Sequence, residues 1–248
     1  MSRPLILVSN DDGVRAPGLA ALAGCVARYG DVIVCAPERE QSGSSHAITL
    51  HSHLRVDQIR PDFYSVSGTP VDSVYVGALH VCPRPPDLVV AGINNGFNLG
   101  SDVIYSGTVG AAREGRLRGA SALAVSVEHD CPPEIALAAV DAILPQLWRL
   151  HEAGERHLLN VNVPAQQGHT VQPLQVTTLG DRRYLDQVEE RHDLAGRPYY
   201  WIGGPPALAD DRAGEDTHAV AHGVISLTPI SCAPITPHLD TWRTLFSS

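Results

Sequence analysis

Leu5-Ile6-Leu7-Val8-Ser9-Asn10-Asp11-Asp12-Gly13 is the stretch on which the fold turns. Four apolar residues in unbroken succession predict a strand buried on both faces of a parallel sheet, because a strand with one wet face would alternate. A polar turn ends it. Pro17 and Gly18 then open an Ala/Leu-rich helix running towards Tyr29-Gly30, and Val32-Ile33-Val34-Cys35 forms a second buried strand. Strand, helix and strand make a βαβ unit, whose crossover should be right-handed.

The same reading extends outward. Asp87-Leu88-Val89-Val90-Ala91 predicts a strand, Gly92 to Gly100 a loop rich in Gly and Asn, and Ser106-Gly107-Thr108 the opening of a helix to Arg118. Ala122 to Val127 and Leu158 to Val163 are further strands. Between them Ile135 to Leu150 reads as an amphipathic helix, with Pro145 as a place for a kink. Alternating β and α predicts an α/β fold with a doubly wound, mostly parallel, Rossmann-like sheet.

After residue 164 the pattern changes. Val171 to Leu179 is strand-like, and Asp181 to Ile202 is polar and rich in Tyr and Arg, with a turn at Ala195-Gly196. The expectation is an extended hairpin arm with little core of its own, which needs a partner surface and so suggests oligomer contacts. Val224 to Leu227 predicts a returning strand and His238 to Phe246 a terminal helix. The division is a core over 1–165 and a C-terminal part over 166–248, within the same overall domain.

Composition narrows the chemistry. The chain has 248 residues and a formal net charge of −9, which argues against binding a nucleic-acid duplex. Every basic side chain is arginine, so mechanisms that need a lysine, such as that of the P-loop, are excluded. Five scattered cysteines without a C-x-x-C pair do not form a disulfide framework. With no long apolar segment, the expectation is a cytoplasmic protein without signal peptide or membrane span.

In open α/β sheets ligands bind beyond the carboxyl ends of the strands. Four polar loops fall there: Asp11-Asp12, Ser42 to Ser45, Asn94 to Asn98, and Ser106-Gly107-Thr108. Adjacent carboxylates repel each other and call for a cation, and carboxylate, hydroxyl and amide oxygens suit Mg²⁺, Mn²⁺ or Ca²⁺ rather than zinc. Taken singly, Asn10-Asp11-Asp12-Gly13 is also ordinary turn chemistry, and Ser106 an ordinary helix cap. Together they suggest a metal ion beside an anion site at a helix N-terminus, with Gly43-Ser44 as a second cradle. Gly68-Thr69-Pro70 reads as a plain helix start. His51 and His53, alternating on a strand, and His218 and His222, four apart, read as surface or core histidines.

These segments resemble the survival protein SurE family of nucleotidases. The resemblance rests on Leu7 to Gly13 with Ala16-Pro17-Gly18, and on Ala36-Pro37 with Gln41-Ser42-Gly43. Gly68-Thr69-Pro70 with Asp72, and Gly92-Ile93-Asn94 through Tyr105-Ser106-Gly107-Thr108-Val109, complete it. It implies hydrolysis of nucleoside monophosphates, 5′- and also 3′-nucleotides, with some action on short polyphosphate. One divalent cation per subunit, Mg²⁺ or Mn²⁺, is implied at Asp11, Asp12, Ser42 and Asn94. The chemistry read from the residues agrees: water attacks phosphorus, with Asp11 or Asp12 assisting as a base. Phosphate contacts are implied at Ser44, Asn98, Ser106, Gly107 and Thr108, beside Gly43 of the second cradle, in a homodimer or homotetramer. The competing reading is a non-enzymatic metal- or nucleotide-binding module.

Overall fold

The computed structural model describes residues 3–165, 173–182, 184, 187–204, 212–232 and 243. Its strands are β1 (Leu5–Ser9), β2 (Asp31–Pro37), β3 (Val56–Arg60), β4 (Phe63–Val66), β5 (Leu88–Asn95), β6 (Ser121–Val127), β7 (Leu158–Val163), β8 (Leu174–Val176), β9 (Gln187–His192), β10 (Pro198–Gly203) and β11 (Ile225–Pro229). The helices are α1 (Pro17–Val26), α2 (Pro70–Val76), α3 (Asp102–Tyr105), α4 (Gly107–Leu117), α5 (Leu137–Glu152) and α6 (Asp216–Ala221).

Nine strands form one sheet in the order β3-β4-β2-β1-β5-β6-β7-β11-β8. β4, β2, β1, β5, β6 and β7 run parallel, while β3 and β11 pair antiparallel with β4 and β7. The mostly parallel α/β sheet expected from the sequence is therefore present.

The unbroken apolar runs divide by period two. Ile6, Val8, Val34, Leu88 and Val90 face α1 and α5, where Leu19, Leu22, Val140 and Leu144 are fully buried. Leu5, Leu7, Cys35, Val89 and Ala91 face the opposite layer, with Val74 of α2 and Val109, Ala111 and Ala112 of α4. Both faces of each central strand are dry, as continuous hydrophobic strands require. α4 has poor intrinsic propensity, with glycines at 107, 110 and 115. At Gly115 the reason is contact: a Cβ there would lie 2.4 Å from the Cβ of Val89. The helix lies closer to β5 than any larger residue permits.

Several boundaries differ from the sequence reading. β5 runs on to Asn95, so part of the expected loop is strand. β3, β4, α3 and α6 were not anticipated. His51 and His53 lie outside any strand. α5 carries Pro145 within an unbroken helix. Thr69 caps α2 as expected, in a reciprocal box with Asp72. β9 and β10 pair as a separate two-stranded hairpin whose residues are all exposed, matching the expected arm. The terminal helix expected over 238–246 falls almost wholly outside the described residues.

β1 is the hinge of the topology. The chain passes from β1 to β2 on one side and later inserts β5 on the other. Their carboxyl ends flank the crevice of a topological switch point, where open α/β sheets bind ligands.

Candidate active site at the switch point

Past Ser9 the chain closes a tight turn. The Asn10 amide donates to the Gly13 carbonyl at 3.0 Å, and the Val14 N–H donates to the Pro37 carbonyl at the end of β2. Turn chemistry and site chemistry thus coexist in this tetrapeptide. The Asp11 carbonyl accepts the Gln41 N–H at 2.8 Å, which draws in the loop after β2.

Asp11 is 4% exposed, and its carboxylate accepts the Thr108 hydroxyl. Burial raises its pKa, against the hydrogen bonds from the Thr108 side chain and from backbone, while the Glu40 charge raises it further. Burial, then Asp11, then Glu40 push Asp12 up to about 6, opposed by a backbone hydrogen bond from Asn95. Desolvation and like-charge repulsion act together here. Glu40 was missed by the sequence reading, although it follows β2 in the same loop as Ser42.

α4 points its N-terminus at this pair. Ser106 is its cap, with the hydroxyl accepting the Val109 N–H at 3.1 Å. A Cβ at Gly107 would lie 2.8 Å from Ser44 Oγ and 2.9 Å from Asp11 Cβ. Gly107, Ser44 and Asp11 therefore meet. Gly43 has φ +72°, giving the second loop its bend. Ser42 is exposed and donates to Glu40 at 2.9 Å.

On the far side, the Asn94 amide donates to the Gly96 carbonyl at 2.8 Å, leaving its Oδ1 as the atom to offer a cation. Asn98 is more committed. Its Nδ2 donates to Ser126 Oγ, its N–H to Asn162 Oδ1, and its carbonyl accepts the amides of Asn160 and Asn162. Asn160 and Asn162 are fully buried on β7. Two asparagines at alternate positions of an apolar strand were the available sign that β7 supports a polar loop.

The donor set suits a hard divalent ion. Ser9 Oγ, Asn10 Oδ1 and Ser44 Oγ are buried and have no hydrogen-bond partner among the described residues, and buried polar atoms ordinarily have one. No group of three or more His, Cys, Asp or Glu side chains is placed to hold a metal among the described residues. A cation at Asp11 and Asp12 must therefore complete its shell with neutral oxygens, such as those of Ser42 and Asn94, and water. Such mixed oxygen shells suit Mg²⁺ and Mn²⁺.

Residues 6–186 match the family model described as Survival protein SurE. The chain is 48% identical over 240 residues to 5′-nucleotidase SurE of Syntrophotalea carbinolica, covering 95% of this chain and 92% of that one. It is 45% identical over 238 residues to 5′-nucleotidase SurE of Legionella pneumophila subsp. pneumophila, covering 95% and 91%. The crystal structure of the Sure protein from Aquifex aeolicus superposes with a TM-score of 0.80 at 34% identity, covering 98% of this chain and 99% of that one. On these grounds the chain belongs to the SurE family.

Proposed function

We propose that the chain is a divalent-metal-dependent 5′-nucleotidase, hydrolysing the phosphomonoester of nucleoside monophosphates. The observation that carries this reading is the juxtaposition of a buried Asp11 with the glycine-opened N-terminus of α4, beside Asp12. Relatives that share nearly half of its residues along almost their whole length are named 5′-nucleotidases. The non-enzymatic module is not favoured.

In this reading Asp11, Asp12, Ser42 and Asn94 hold Mg²⁺ or Mn²⁺. The ion, when bound, polarises a phosphoryl oxygen and lowers the pKa of water. Thr108 orients Asp11 through its hydroxyl. Gly107, lacking a side chain, admits the phosphoryl group to the helix N-terminus, where backbone N–H groups favour negative charge. Gly43, Ser44 and Ser106 form the other walls of the cradle. Asn98 gives one amide hydrogen to Ser126 Oγ and keeps a second, so it can hold the loop and still donate to phosphate. Asp11 or Asp12, at the ion and beside the phosphate cradle, assists attacking water as a base.

The exposed hairpin supports a homodimer or homotetramer. The five cysteines are all free, which fits a reducing cytoplasm. No helix among the described residues is long and apolar enough to cross a membrane.

The test is phosphate release from AMP, GMP and p-nitrophenyl phosphate with EDTA, Mg²⁺ or Mn²⁺, for wild type and Asp11→Asn. Metal-dependent release that falls by about 10²–10³-fold or more in the variant is expected, the scale on which one electrostatic group acts. A folded wild type that releases no phosphate with any metal would return the non-enzymatic module to first place.

A further inference from the structure

The loop from Gln41 to Ala47 carries Ser42, Gly43 and Ser44, yet no large apolar side chain anchors it. Its position rests on polar ties. Gln41 donates to the Asp11 carbonyl, and the Ser45 N–H and hydroxyl donate to the carbonyls of Tyr105 and Ile104. The Thr69 hydroxyl donates to the Ala47 carbonyl at the loop's end, and between these ties stands His46, whose Nε2 lies 3.1 Å from Oε2 of Glu114 on α4. Glu114 is 3% exposed, an uncommon place for a carboxylate unless it is paired. Arg118, one turn along the same helix, meets its other oxygen, Oε1, at 2.8 Å. Arg118, at the C-cap of α4, thus supplies an ion pair to one oxygen, while Oε2 is turned towards the loop. The two elements are also in direct apposition, since a Cβ at Gly110 would lie 2.4 Å from the Ser45 carbonyl.

We infer that His46 and Glu114 form a clasp that sets the loop of Ser42 to Ser44 against Asp11, making His46 a positioning residue for metal and phosphate. This rests on the nucleotidase reading and deepens it. Glu114 is seven residues beyond Gly107, about 10 Å along the helix, so the clasp acts through the loop and not on the substrate.

The experiment compares wild type, His46→Ala, His46→Gln and Arg118→Ala. Mn²⁺ affinity is read by water-proton relaxation without substrate, and kcat and KM for AMP at saturating Mn²⁺. Thermal midpoints accompany both. His46→Ala should weaken Mn²⁺ binding and raise KM by about 10-fold each, the size of supporting-shell effects, with a smaller change in kcat. His46→Gln, which keeps a donor, should recover most of both. Arg118→Ala should lower the midpoint while leaving Mn²⁺ affinity and KM near wild type. If His46→Ala and Arg118→Ala both lower only the midpoint, the pair is merely structural and the clasp is overturned. It is equally overturned if His46→Gln fails to recover what His46→Ala loses. A wild type that binds no Mn²⁺ and hydrolyses no AMP defeats the nucleotidase reading itself, and the clasp with it.

Discussion

At the residue scale, the site is governed by the cost of keeping Asp11 and Asp12 charged. Both have raised pKa values, Asp12 at about 6, from burial and mutual repulsion with Glu40. A carboxyl whose folded pKa lies above its unfolded value binds more protons folded than unfolded. Stability of the metal-free protein therefore falls as pH rises from about 4 through about 6, and a cation offsets that loss. The rise in melting temperature caused by Mn²⁺ should accordingly be small at pH 5 and larger at pH 7.5, as calorimetry can measure. An effect of equal size at both would exclude this pair as the ligands. Gly107 gives a second prediction. Glycine to alanine inside a helix commonly stabilises by about 0.5–1 kcal/mol. Here the added Cβ meets Ser44 and Asp11, so Gly107→Ala should bring no gain in melting temperature. It should lower kcat/KM for AMP by about 100-fold, the order expected of a misplacement near 1 Å.

At the scale of elements, legibility followed chemistry. β1, β2, β5, β6 and β7 were readable because strands dry on both faces leave unbroken apolar runs. β3 was not, because Asp57, Gln58, Ile59 and Arg60 are all exposed and its place is set by pairing with β4. α6 has six residues and little periodicity to read. It is located by Asp216, fully buried, which accepts the N–H groups of Gly100, Gly180 and Thr217. Which loops meet at the site was readable from strand ends. Which side chains support them was not, since Asn160 and Asn162 reach Asn98 only once β7 takes its place in the sheet. α2 was legible down to its cap. Thr69→Ala removes the acceptor for the Asp72 N–H and the donor to the Ala47 carbonyl. It should cost about 1–2 kcal/mol in urea denaturation, the upper part of the range for lost caps.

For the whole molecule, the arm is the feature without internal support. Tyr199, Tyr200, Trp201 and Ile202 are exposed along β10, and Val188 along β9. Isolated two-stranded hairpins are marginal in water, and in the proposed homo-oligomer a second copy of the chain would cover this one. The arm's base is anchored beside the site: Arg182 pairs with Asp102 at 2.8 Å, and Tyr184 donates to the same carboxylate at 2.6 Å. Gln187 and Gly203 are paired neighbours, so a short Gly-Ser link can replace what lies between them without straining the rest. That excision should reduce the assembly to monomers in analytical ultracentrifugation while the circular dichroism of the core persists. An unchanged sedimentation coefficient per assembly would place the interface elsewhere.

The position of β1 has a kinetic meaning. Flanked by β2 and β5 and dry on both faces, it has the surroundings of a segment expected to open only with global unfolding. The Asp pair hangs directly from it. The loop from Gln41 to Ala47, held by a few polar ties, belongs to the part that opens first. Hydrogen exchange should therefore find strong protection in β1 and weak protection in this loop, on opposite sides of one site. A nucleotide can be admitted or a product released by excursions of one wall, while the carboxylates opposite stay where they are.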